Sequence, residues 1–171
     1  LTYNGREQYI STATGVKDAS DNDVTASDYT VHSSSTGKNA GDKVTVTVTA
    51  NDNSAYVGSV SKTVTIAKAT DADGLVASTA EGLSYQYTGS AISIPKDKVA
   101  LKESTVDPHK FGGADVSSAI TEAKTTNSGV GKSTVDVKIN PTKLANFDIS
   151  KNEYTTTEQV EITKRDLSTA G

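Results

Sequence analysis

The chain has 171 residues, a net charge of −4 and no cysteine, methionine or tryptophan, and 34% of its residues are hydrophobic and 5% aromatic. This length allows one or two domains, each with a small core built mainly from Val, Ile, Leu and Ala. The charges of both signs are scattered and no run of 18 apolar residues occurs, which excludes the basic surface of a nucleic-acid-binding protein and a membrane-inserted segment.

A first module is predicted over residues 1–70. It begins with a short strand in which Tyr3 faces inward, followed by a tight turn at Asn4-Gly5, where the glycine supplies a positive φ. After a polar loop, Tyr29 and Val31 indicate a further strand.

The strongest pattern of the chain lies in residues 41–68. Threonines alternate there with valine or isoleucine in two runs joined by a short polar loop, and the apolar members are Val44, Val46, Val48, Val64 and Ile66. A period of two with β-branched residues is typical of strands that bury one face and expose the other. We therefore predict a β-hairpin of a sandwich.

The hydrophobic pattern lapses between residues 71 and 82, which predicts a linker. The second module, residues 83–166, repeats the first. Its matching segments are Tyr87-Thr88-Gly89 for Tyr3-Asn4-Gly5, Asp115-Val116-Ser117 for Asp23-Val24-Thr25, Val135, Val137 and Ile139 for Val44, Val46 and Val48, Asn146-Phe147 for Ala55-Tyr56, and Val160-Glu161-Ile162-Thr163-Lys164 for Val64-Thr65-Ile66-Ala67-Lys68.

The second module is longer than the first, and its extra residues are expected in loops at 92–113, the longest irregular stretch, and at 149–157. Residues 167–171 are expected to begin a linker to a further module. The chain begins at a leucine and shows no signal peptide or anchor, so we expect two modules of a longer string.

Several motifs of the first module resemble the bacterial immunoglobulin-like repeats of large secreted surface proteins of Gram-positive gut anaerobes. The motifs are Tyr3-x-Gly5, Asp28-Tyr29-Thr30-Val31, Asn39-Ala40-Gly41 before a Val/Thr strand, and an aromatic residue and Gly58 before Thr63-Val64-Thr65-Ile66. They cover nearly all of residues 1–68. In the second module only the Tyr-Thr-Gly start and the closing strand match well.

The resemblance implies an all-β chain of two tandem Ig-like β-sandwich domains in series. It implies a monomeric, non-catalytic spacer or stalk of a cell-surface or cell-wall-attached adhesin, whose partners are the neighbouring domains of the same chain. The alternative is a module that binds a glycan or a host or partner protein, carried by the longer loops of the second domain, above all residues 92–113. An Ig-like decoration of a phage or virion surface would have the same fold.

No catalytic set is indicated, so we predict that the protein is not an enzyme. The two histidines, His32 and His109, lie in different halves, and no Gly-x-Ser-x-Gly motif accompanies them. Asp115 and Glu122 are two acids among 21, and their spacing gives no reason to place them together.

Calcium is the one cofactor that the sequence leaves open. Asp18, Asp21 and Asp23 lie together in one loop, and Asp71 and Asp73 lie in the predicted linker, where a hard cation with oxygen ligands could stiffen the joint. The competing explanation is that Asp-rich turns form local hydrogen bonds to their own backbone.

Sugar binding would need exposed aromatic side chains. Tyr9, Tyr85 and Tyr154 are the tyrosines least easily assigned to a core, and Tyr85 and Tyr154 are the candidate ligand-binding residues. The remaining tyrosines occupy pattern positions and are predicted to be buried: Tyr3, Tyr29, Tyr56 and Tyr87.

Overall fold

The computed structural model describes residues 1–70, 74–105 and 110–166. Strands account for 40% of the chain, and every helix among the described residues is a 3₁₀ turn of three residues, so the predicted all-β class is confirmed. None of these short helices is long and apolar enough to cross a membrane. The chain divides into two compact units, Leu1–Lys68 (unit 1) and Ala69–Gly171 (unit 2).

Unit 1 contains one antiparallel sheet of three strands in the order β1-β2-β3. The strands are β1 (Tyr29–Ser33), β2 (Lys43–Ala50) and β3 (Ser59–Thr65), and the 3₁₀ helix Ala26–Asp28 precedes β1. The predicted hairpin is confirmed, because β2 and β3 pair along their whole length. Its burial is less even than the pattern indicates, since β2 buries Val44 and Val46 whereas β3 is exposed at most positions.

The two ends of unit 1 meet. Thr2 and Ala67 form a parallel bridge, in which the Tyr3 N–H donates to the Ala67 carbonyl at 2.8 Å and the Ala67 N–H donates to the Leu1 carbonyl at 3.0 Å. Tyr3 is buried as predicted, and Gly5 has the positive φ, 70°, that the turn requires.

Unit 2 contains eight described strands in three small sheets, β10-β9-β7, β5-β11-β8 and β4-β6. The pair β5 and β11 is parallel and the others are antiparallel. The strands are β4 (Leu75–Thr79), β5 (Ser84–Gln86), β6 (Val99–Glu103), β7 (Ile120–Thr125), β8 (Gly131–Ser133), β9 (Val135–Ile139), β10 (Glu153–Thr155) and β11 (Val160–Thr163), and the 3₁₀ helices are Lys96–Lys98, Ser117–Ala119 and Pro141–Lys143.

The core of unit 2 combines β-branched residues from the strands with two aromatic rings from the connections. Phe111 and Phe147 meet edge to face with 4.9 Å between ring centroids. Leu101, Val137 and Ile162 are completely or almost completely buried. This is a Val/Ile/Leu core, as the composition predicts.

The structure differs from the predicted linker at residues 71–82. Leu75, Ala77 and Thr79 are buried on β4, which pairs with β6, so the second unit begins well before residue 83. The alternation in β4 is real, but its small and polar members make it weak as a sequence pattern. Residues 71–73 lie outside the described residues.

The stretch 92–113 was predicted to be a long loop, and this prediction is wrong over its central part. Ile94 is buried, the helix Lys96–Lys98 follows, and β6 then pairs with β4. The other predicted insertion, 149–157, contains β10, which pairs with β9. The additional length of unit 2 therefore forms strands as well as loops, because the extra residues pair and bury side chains.

The predicted repeat is visible in the hydrogen bonds at the two ends of each unit. The Tyr87 N–H donates to the Thr163 carbonyl at 2.9 Å, which reproduces the bond from Tyr3 to Ala67. In both units the starting segment is therefore a parallel neighbour of the closing strand. The match of Tyr3 with Tyr87 and that of Val64 with Val160 are both confirmed.

The match between the central strands needs a correction of two residues. Ala50 pairs with Tyr29 at the start of β1, and Ile139 pairs with Ile120 at the start of β7. Both Tyr29 and Ile120 directly follow a 3₁₀ helix. The residues equivalent to Val135, Val137 and Ile139 are therefore Val46, Val48 and Ala50. Strict alternation allows such a slip, because a shift of two residues keeps every side chain on its face.

A side-chain clasp also recurs in both units. The Ser33 hydroxyl accepts the Ile10 N–H at 3.3 Å and donates to the Ser35 carbonyl at 2.8 Å. The Thr125 hydroxyl accepts the Ile92 N–H at 2.9 Å and donates to the Asn127 carbonyl at 2.7 Å. Each hydroxyl satisfies two backbone groups where a strand ends.

Candidate functional site

The Asp-rich loop of unit 1 is held together by its own hydrogen bonds. Oδ1 of Asp18 accepts the N–H groups of Ser20 at 2.8 Å and Asn22 at 2.9 Å, and the Asn22 side chain donates to both Asp18 oxygens. The Asn22 main-chain and side-chain donors, with that of Ser20, lower the pKa of Asp18 below its ordinary value. The Asp18 carboxylate therefore stabilises the turn.

The other two carboxylates of this loop do not converge with Asp18. Asp21 has a positive φ of 65° and forms an ion pair with Lys17 at 3.2 Å, while Asp23 is exposed. Within residues 1–70, 74–105 and 110–166, no three His, Cys, Asp or Glu side chains are grouped closely enough to hold a metal ion. Asp71 and Asp73 lie outside the described residues, so the calcium hypothesis stays a prediction.

The structure separates the two candidate ligand-binding tyrosines. Tyr154 is 4% exposed on β10, with the Lys151 ammonium 4.3 Å from its ring centroid, so its prediction as an exposed contact residue is wrong. Tyr85 is half-buried on β5. Conversely Tyr87, predicted to be buried, is exposed, as is Tyr9. Side-chain direction at these short strands depends on pairings that lie far away in the sequence.

The two acids considered for catalysis are both engaged in separate local interactions. The Ser117 hydroxyl donates to Asp115, which also pairs with Lys102 at 3.2 Å. Glu122 forms ion pairs with Lys124 and Lys138. These partners lower the pKa of both acids, that of Asp115 chiefly through Ser117 and that of Glu122 chiefly through Lys124. Neither is poised to exchange a proton near neutral pH.

Sequence reasoning missed the buried carboxylate of Glu103 at the end of β6, which is only 8% exposed. Oε1 accepts the Phe111 N–H at 2.6 Å and Oε2 accepts the Gly113 N–H. Burial by itself raises the pKa of Glu103, but the N–H groups of Phe111, Gly113, Ala114 and Lys110 outweigh it and lower the pKa below its ordinary value.

This carboxylate fixes the segment that places Phe111 in the core of unit 2. Gly112 and Gly113 both have positive φ, 64° and 81°, which turns consecutive N–H groups toward one anion. The arrangement is closed by protein donors and leaves the anion no obvious role toward an external ligand. The adjacent glycines after an acidic strand end were the only signal in the sequence.

Unit 1 contains the largest concave surface, which we call the unit 1 groove. It is an open depression of about 600 Å³ beside the hairpin, lined by apolar and polar residues that include Val16, Lys17, Val24, Tyr29, Val48 and Val60. Val60 is 63% exposed, and neighbouring Val57 is almost fully exposed. Apolar side chains at this exposure mark a surface able to bind another chain.

None of the candidate sites assembles a nucleophile, a base and an oxyanion donor from described residues. No family model matches the chain, and no curated protein matches it. The functional conclusion therefore rests on the residues, hydrogen bonds and strand pairings of the two units.

Proposed function

We propose that the chain is a non-catalytic spacer segment of an extracellular bacterial surface protein, built from two immunoglobulin-like β-sandwich modules in series. Its task is to hold other domains of the same protein away from the cell. The observation that carries this proposal is the parallel pairing of the first and last segments in both units, between Thr2 and Ala67 and between β5 and β11.

Parallel terminal segments resist tension along the chain. A pull on both ends of unit 1 moves Leu1 and Lys68 apart along the strand direction, so the two hydrogen bonds between Leu1, Tyr3 and Ala67 bear the force together. An antiparallel terminal pair would open one bond at a time from its end. Forced unfolding depends on the barrier to this first rupture, and resistance to it is what a projecting segment needs.

Pulling single molecules of the chain through terminal handles tests the proposal. We expect two separate unfolding events that release roughly 200 and 300 Å of chain, from about 3.4 Å per residue less the folded length. Ala67→Pro removes the N–H that donates to Leu1 and should lower the unfolding force of unit 1 to about half. The event of unit 2 serves as the internal control in the same trace.

Two results would count against a spacer. One is rupture of both units at forces too low to resolve, and the other is an unchanged force after Ala67→Pro. Retention of the chain on a polysaccharide or on mucin, lost in Tyr85→Ala, would instead favour the glycan-binding alternative. Running that assay with calcium and with a chelator tests the calcium hypothesis at the same time.

A further inference from the structure

The unit 1 groove lies where unit 2 has a strand. The backbone bond from Val24 to the Val16 carbonyl in unit 1 matches that from Val116 to the Leu101 carbonyl in unit 2, and the bridge of Lys17 with Asp23 matches that of Lys102 with Asp115. Residues 16–18 are therefore the counterpart of the last three residues of β6. In unit 2 the opposite edge of β6 pairs with β4.

The backbone of Lys17 presents an open edge. In unit 2 the bonds from Ser104 to Gly74 and from Ala80 to Lys98 fix the antiparallel ladder, so the N–H and C=O of Lys102 face Val76. The equivalent N–H and C=O of Lys17 point away from Asp23 and have no hydrogen-bond partner in the described part of the chain. Unpaired strand edges are templates for another strand.

The side chains around this edge show the same difference. β4 contacts β10, where Tyr154 is buried opposite Val137. In unit 1 Val60 occupies the position of Tyr154, opposite Val48, and is largely exposed. Other apolar positions follow this trend, since Val16, Tyr29 and Val48 are half-buried where their counterparts Leu101, Ile120 and Val137 are buried.

We propose that the unit 1 groove is the acceptor site for a β-strand of another polypeptide, an extended segment with the alternation of β4. The incoming strand pairs antiparallel to residues 16–18 through the backbone of Lys17. Its inward side chains, at the positions of Leu75, Ala77 and Thr79, cover Val60 and Val48. The groove supplies both the backbone partners and the alternating apolar contacts that strand addition requires, and the proposal does not depend on the spacer function.

The test uses the full chain and a fluorescently labelled peptide with the sequence of residues 74–82. We expect saturable binding by anisotropy, with amide shifts in residues 13–24 and 48–60 of the labelled protein. Val60→Lys, a change at an exposed site that unit 1 tolerates, should weaken binding at least tenfold, because a charge replaces the covered side chain. Val130→Lys, at an exposed site in unit 2, should leave binding unchanged.

A peptide with proline in place of Val76 is the matched ligand control, because it lacks the N–H that pairs with Lys17 and should not bind. Three results would overturn the proposal. They are absence of binding at millimolar peptide, equal binding of the proline peptide, and amide shifts confined to β6, which would mean exchange with β4 in unit 2. A dimer by light scattering that Val60→Lys dissociates would also overturn it, because a second copy would then cover the groove.

Discussion

Replacing Glu103 with alanine should lower the free energy of unfolding of unit 2 by about 3 kcal/mol, because backbone N–H groups that now donate to a buried carboxylate lose their acceptor. Phe111 and Gly113 both donate to this side chain, and Phe111 is itself a core residue that packs on Phe147. Glu103→Gln keeps one carbonyl oxygen as an acceptor and should cost less. Loss of the loop would thus spread to the core.

Chemical denaturation of the whole chain, followed by amide signals assigned to each unit, measures this effect. Glu153→Ala is the matched control, because Glu153 is an exposed glutamate on β10, and it should change stability by less than about 0.5 kcal/mol. Equal stability of Glu103→Ala and the parent chain would mean that water or a rearranged loop satisfies the freed N–H groups.

The same carboxylate makes unit 2 sensitive to acid. The folded pKa of Glu103 lies below its unfolded value, so its contribution is complete above the unfolded pKa. It is lost as the pH falls from there through the folded pKa. A urea series below pH 5 should therefore show the parent losing stability faster than Glu103→Gln in unit 2. Parallel pH profiles of the two proteins would contradict this assignment.

Replacing Ile66 with alanine should destabilise unit 1 by about 3 kcal/mol and leave unit 2 unchanged. Ile66 is 1% exposed, and its side chain lies over Gly37, where an added Cβ would stand 3.0 Å from the Ile66 Cδ1 atom. The glycine leaves no side chain nearby that could fill the cavity. The lost methyl groups and the remaining void both contribute to the cost.

Hydrogen exchange of assigned amides distinguishes the two units in one experiment. Protection should fall in β2 and β3 of the Ile66→Ala protein and persist in β9 and β11. Val57→Ala, at a fully exposed position, is the control and should have no measurable effect. Equal loss of protection in both units would contradict independent cores and would mean that the chain unfolds as one cooperative body.

The strands that the sequence predicts well are those whose pattern is local and strong. Val44 and Val46 alternate with threonine over eight residues, and their partners follow after one short loop, so pattern and pairing agree. The repeat added the closing strand of unit 2. It also placed Tyr87 opposite Thr163, although not the exposure of its ring.

The features that sequence reasoning missed depend on distant partners. β4 has only one leucine and one outward valine, and it becomes a strand because β6 pairs with it. Glu103 looked like an ordinary surface acid, because nothing local shows that the segment after residue 110 will turn its N–H groups toward it. Tyr154 is buried because β10 lies against both β9 and β4.

The meeting of the two ends of unit 1 also fixes when this unit can finish folding as the chain emerges from a ribosome or an export channel. The hairpin of β2 and β3 can form early, since its strands are close in sequence. Leu1 and Tyr3, in contrast, must wait for Ala67, and their pairing then requires nothing from later residues. Each unit would thus be sealed by its own last strand before its successor is complete, which limits wrong pairing between similar neighbours.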